Sequence, residues 1–146
     1  MATVTIVNEY DVPARQLWAI VTDYQALGDI MQGLASFKGL PQGRTRTGQR
    51  MEVMVSLVGK LPKQPYFMEV VECDDTRMIL RSSERGAGVK SWLHTLTVTE
   101  IATGSCLTDT IEIDAGLLTP MFALWARYMY SARHKPRLRL LQNRQT

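Results

Sequence analysis

Apolar and polar positions alternate with a period of two through most of this chain and change to a helical spacing near each end. Residues 2–10 put Val4 and Ile6 on one face, with Tyr10 as a candidate to end that row, and Thr3, Thr5 and Glu9 on the other. That is the pattern of a half-buried strand. Pro13 suits the first position of a helix, and Leu17, Trp18, Ile20 and Val21 form an apolar stripe over Ala14–Thr22. Asp23 is placed to cap a second short helix through Ile30, which Gly33 would end. The period then returns to two. Strands are predicted over 34–39, 49–58, 66–73, 78–85, 89–101 and 105–114. Pro41-Gln42-Gly43 breaks the first of these from the second. Pro62 and Pro65 bracket a loop, since neither can donate to a central ladder. Asp74-Asp75-Thr76-Arg77 is a hairpin turn, and Gly86-Ala87-Gly88 separates the next pair.

The last hairpin carries the sharpest pattern. With Ile101 opposite Cys106, Trp92, His94, Leu96 and Val98 share a face with Leu107, Asp109, Ile111 and Ile113, while threonines dominate the other face. A slip of one residue would scramble both faces. In this register His94 and Asp109 lie several residues apart and do not form a dyad. Beyond Gly116, Thr119 is a candidate N-cap and Pro120 falls in the first helical turn. Leu118, Met121, Phe122, Trp125, Tyr128, Met129 and Ala132 follow at i, i+3, i+4, i+7 spacing. This predicts one amphipathic helix from about Pro120 toward Leu141, kinked or interrupted by Pro136.

Composition adds bounds. With 146 residues, 45% hydrophobic and 21% charged, one domain spanning 1–146 and a core built without disulfides or metals are expected. No apolar run nears the roughly 18 residues of a membrane span, and the alternating N-terminus does not read as a signal peptide. Cys73 and Cys106 stand apart in separate strands, as in a reduced, cytoplasmic protein. All 14 acidic residues precede residue 115, whereas the last twenty residues carry Arg127, Arg133, Lys135, Arg137, Arg139 and Arg144. A solvated basic helix face is the favoured reading. Contact with an anionic membrane or nucleic acid is the weaker one, with nucleic acid disfavoured.

His94 and Asp109 are the ionisable groups expected on the dry face of the last hairpin. A buried carboxylate must be bonded, paired, protonated or wetted, so Asp109 is either satisfied by its neighbours or placed to orient a ligand. His94 is either a satisfied histidine or an acid/base. Glu69 and Arg81 read as solvated sheet positions. The methionines, Met51 and Met129 among them, supply deformable apolar surface. Trp92, Leu96, Ile111, Met121, Trp125, Tyr128 and Met129, with Met51 and Val53 from the 49–58 strand, are the expected walls of a ligand pocket. Trp18 is read as an anchor for the first helix. No phosphate-cradling glycine pattern, metal-ligand spacing or GxSxG elbow occurs, so no metal and no cofactor are expected.

The order strand, two short helices, six strands, long helix resembles the START-type helix-grip superfamily (SRPBCC), and within it the polyketide cyclase/dehydrase-like branch. The likeness rests on Asp11-Val12-Pro13-Ala14 with Leu17-Trp18 and Thr22-Asp23, on Trp92-x-His94, on Leu107-Thr108-Asp109 and on Tyr128…Arg133-His134. It implies an α+β fold, a seven-stranded curved antiparallel sheet wrapped around the C-terminal helix, and an apolar cavity between them. The partner implied is a small hydrophobic, lipid-like, aromatic or polyketide-like molecule. The cavity would serve either for binding alone or for cyclase/dehydrase chemistry with His94 as acid/base. Oligomeric state, a homodimer included, is left open.

Overall fold

The computed structural model describes residues 1–57 and 62–145. The strands are β1 (Ala2–Tyr10), β2 (Ala35–Lys38), β3 (Arg50–Leu57), β4 (Gln64–Asp74), β5 (Ile79–Gly86), β6 (Val89–Ile101) and β7 (Gly104–Asp114). They form one antiparallel sheet in the order β1-β7-β6-β5-β4-β3-β2. Residue 58, the last of one predicted strand, lies outside the described residues. Pro65 falls inside β4 rather than in a loop. It pairs with Met54 of β3, before β5 joins at Tyr66, so β4 has one neighbour there and the missing N–H breaks no central ladder.

Helices α1 (Ala14–Val21) and α2 (Tyr24–Ile30) follow β1. Pro13 stands at the N-cap of α1, one place before the helix. The Asp23 carboxylate accepts from the Gln25 N–H and caps α2, as its sequence position predicts. Trp18 Nε1 donates to Asp75 Oδ1 at 2.8 Å, tying α1 to the β4–β5 turn. The chain ends in a long, bent helix: α3 (Thr119–Ala132) and α4 (His134–Gln145). The bend falls at Arg133. Pro136 then occupies the first turn of α4, where an N–H has no helical partner to lose. Thr119 lies inside α3 rather than capping it. Its hydroxyl accepts from the Ala115 N–H and donates to the Gly116 carbonyl, locking the one-turn 3-10 helix Gly116–Leu118.

The β6–β7 register departs from the expected one by two residues. Ile101 faces Gly104 and Thr99 faces Cys106, across a two-residue turn. Gly104 makes the tight closure feasible: its φ is +145°, and a Cβ there would lie 2.2 Å from the Tyr10 carbonyl oxygen. A shift of two keeps every side chain on its predicted face but changes its cross-strand neighbours.

Two apolar clusters fill the concave side. One joins Leu17, Trp18 and Ile20 of α1 to Leu96, Val98, Leu107 and Leu141. The other sets Val55, Trp92, Ile111 and Ile113 of the sheet against Phe122, Ala126, Met129 and Tyr130 of α3.

Candidate functional site

The second cluster is incompletely filled. A cavity of about 60 Å³ lies between the sheet residues Val55, Tyr66 and Trp92 and the helix residues Phe122, Trp125 and Met129. Another of about 100 Å³ reaches from Leu96 and His94 past Ser82 toward Tyr24 and Leu27 of α2. Phe37, Glu84, Tyr130 and Arg133 line both and form the partition between them. The first is walled mainly by aromatic and aliphatic carbon; the polar groups concentrate at the partition. Either space exceeds what one water needs, about 10–15 Å³ by a comparable measure. Both fall short of the roughly 300–1,000 Å³ of drug-sized sites.

On the sheet side, His94 Nε2 and Asp109 Oδ1 are 2.6 Å apart, and both side chains are buried. The corrected register explains the pairing. His94 stands opposite Ile111 and Asp109 opposite Leu96, so the two are diagonal neighbours on one face. They are therefore a dyad, contrary to the reading from sequence. Burial alone would raise the Asp109 pKa. The hydrogen bond and charge of His94, with the charges of Arg137 and Arg133, outweigh it and hold the carboxyl below its ordinary value. Asp109 is thus ionised at neutral pH, so Nε2–H donates to it. In the neutral imidazole, Nδ1 is then the basic nitrogen. The His94 ring also packs edge-on against Tyr130 at 4.9 Å.

On the helix side, Arg133 and Arg137 stand one turn apart and both point inward, with 9% and 3% of their surface exposed. The predicted solvated basic face does not include them. The buried stripe runs Phe122, Ala126, Met129/Tyr130, Arg133, Arg137, Leu141, an i+3/i+4 series that continues through the bend. Arg137 Nη1 donates to the Tyr10 hydroxyl at 3.0 Å, and Tyr10 also bonds His134 Nδ1 at 3.0 Å. Arg133 lies over the Tyr130 ring at 4.2 Å. Its Nε is buried without a hydrogen-bond partner, and no carboxylate pairs with it among the described residues. Glu84, across the partition, accepts from the Tyr66 hydroxyl at 3.0 Å and the Ser82 hydroxyl at 2.7 Å. Burial and the neighbouring Glu84 push the Tyr66 hydroxyl well above its usual pKa, and burial raises that of Tyr130.

The family described as "Polyketide cyclase / dehydrase and lipid transport" matches residues 1–145. The chain belongs to that family. No match is found among curated proteins. Among solved structures, a protein from Thermus thermophilus superposes with a TM-score of 0.77 at 15% identity, covering 99% of this chain and 100% of its own. One from Chromobacterium violaceum gives 0.75 at 17%, covering 95% and 96%. The Zhui aromatase/cyclase of a Streptomyces species gives 0.69 at 16%, covering 99% and 96%. At these identities the likeness concerns the fold, which is the helix-grip architecture.

Within this cyclase/dehydrase-family fold the residues expected at the site separate into three groups. Trp92, Trp125 and Met129 line the first cavity; His94 and Leu96 line the second. Val53, Ile111 and Asp109 are fully buried beneath these walls, and Asp109 reaches the second cavity only through His94. Met121 and Tyr128 are more than half exposed on the outer face of α3, because the buried stripe follows Phe122 and Ala126 instead. Met51 is half-buried and lines neither cavity; its cross-strand partner Met68 lines the second. Glu69 and Arg81 face outward and pair with Arg50 and Glu72. The reading from sequence missed Phe37, Val55, Tyr66, Glu84, Phe122, Tyr130, Arg133 and Arg137 at the site. The signal for the arginines was present: they continue the spacing that starts at Phe122.

Proposed function

We propose that this chain binds a small apolar or amphipathic molecule between the sheet and α3, its apolar part against Val55, Trp92, Phe122 and Trp125. The observation that carries this reading is the pair of cavities that meet at Tyr130 and Arg133, the one under α3 apolar, with polar groups at the partition. Their modest volumes favour a ring or a short chain. A longer, polyketide-like guest requires the partition of Phe37 and Tyr130 to swing aside. Membership of a family described by cyclase, dehydrase and lipid-transport functions supports the same class of guest. The test is thermal unfolding with the neutral probe 4-butylbenzamide. At about 100 times its Kd a guest specific for the native state adds about 2.7 kcal/mol, roughly 5–10 °C for a chain of this size. Trp125→Ala should shrink that shift. Equal stabilisation of wild type and variant counts against the site.

A second reading is favoured by the His94–Asp109 dyad at the edge of the second cavity. Asp109 holds the imidazole with Nδ1 basic, as proton abstraction from a carbon next to a carbonyl requires. His94 would take that proton while the C–H electron pair moves toward the carbonyl oxygen, whose developing charge Arg133 would face. The proton then returns from His94 to the substrate or to water. A pH–rate profile on a poly-carbonyl substrate that is unchanged in His94→Gln would remove this reading.

A further inference from the structure

Arg133 is the least satisfied charge at the site. It is nine-tenths buried, its Nε lacks a partner, and it lies along both cavities. Its neighbour one turn on, Arg137, also has an unpartnered Nε and, among the described residues, no carboxylate within ion-pair distance, but its Nη1 bonds Tyr10 and it lines neither cavity. A guanidinium taken out of water without an anion is strongly disfavoured, and the stacked Tyr130 ring offsets only part of that. Glu84 does not supply the anion. It stands beyond ion-pair reach, and each of its oxygens already accepts from a hydroxyl, Tyr66 or Ser82.

We infer that Arg133 is a receptor for an anionic group, a carboxylate above all, at one end of the guest. The ligand class is therefore an amphipathic acid, with an apolar body between the Trp92 and Trp125 walls and a carboxylate at the partition. The planar fork of five N–H donors matches a carboxylate in two-point contact. Arg133 is nine-tenths buried, so this pairing is screened far less than one at the surface. Glu84 sharpens the selection. A polyanionic head would meet its negative charge across the partition, whereas a single carboxylate flanked by a hydroxyl or amide donor would satisfy both sides. This inference rests on the binding function proposed above and specifies its ligand.

The experiment compares 4-butylbenzoate with its neutral isostere 4-butylbenzamide, titrated by tryptophan fluorescence at pH 7 in low salt and at ~0.5 M salt. Wild type should prefer the acid at least tenfold, and the preference should survive the added salt. Arg133→Met should bring the two affinities together while leaving the amide bound. Arg127→Met, an exposed change on the same helix, should leave the preference intact and controls for net charge. Circular dichroism and the retained amide affinity establish that the Arg133 variant is folded; Arg133→Gln serves in its place if Met does not fold. Equal affinities in wild type, or a preference undiminished in both Arg133 variants, overturns the inference alone. Binding of neither probe overturns the proposed function beneath it.

Discussion

The two halves of the interior are built from the same elements and differ in how they are filled. Where α1 and α4 meet the sheet, Leu17, Leu107 and Val98 are essentially without exposure, and neither cavity borders Arg137. Arg137 bonds Tyr10, and its charge helps to hold Asp109 ionised. Where α3 crosses, space remains, and Arg133 borders it with no side-chain hydrogen bond like the one Arg137 makes. One turn of helix separates the two arginines. Burial of a charge, even with an unpartnered Nε, is thus not by itself a functional sign. The unmet partner beside a void is.

The largest effect that would sharpen this contrast comes from the dyad at the boundary. Asp109→Ala strands both His94 and Arg137 and should cost about 3–5 kcal/mol in equilibrium unfolding. The sign of its pH dependence follows from the lowered pKa. The Asp109 contribution is present in full above the unfolded value near 4 and is lost as pH falls through the lower folded value. Acid unfolding should therefore be less steep in the variant than in wild type. A parallel acid limb would place the linkage elsewhere.

Next comes the packed half. Leu107→Ala opens a cavity in a region with no slack and should cost about 3 kcal/mol, with amide-probe affinity within about twofold of wild type. Comparable loss of stability and of binding would dissolve the distinction between the halves. The arginines should then separate. Arg137→Met leaves the Tyr10 hydroxyl without its donor and should cost about 1–3 kcal/mol. Arg133→Met removes an unpaired buried cation and should leave stability unchanged or raise it. Urea unfolding of both in one series decides it, and a larger loss at Arg133 would mean that its charge is structurally satisfied. The smallest loss of stability is expected for Trp125→Ala, below about 1 kcal/mol, because half-exposed Trp125 borders space rather than packed neighbours.

Much of the fold was legible in the chain because strand faces follow a period of two. The dry face of β6 and β7 was correct even though the register was displaced, since a shift of two conserves the faces. What it moved was the partner of each residue. The His94–Asp109 contact was hidden by a turn only two residues long, which Gly104 permits where Tyr10 passes close. The phase of α3 was misread for a different reason. Large exposed apolar side chains, Leu118 just before the helix and Met121 and Tyr128 on its outer face, outweighed the small Ala126 on the inner one, and arginines count as surface residues in any hydropathy pattern. Their long apolar stems allow burial that the charge conceals. The void was not legible at all, because it depends on how far the sheet curls from α3.

The most direct test of the central claim is the anomalous difference density of a crystal soaked in bromobenzene, a guest that needs no charged partner. The account predicts a bromine peak enclosed by Val55, Trp92, Phe122 and Trp125. No peak there, or a peak only against the exposed Leu117, Met121 and Leu124 on the outer face, would contradict it.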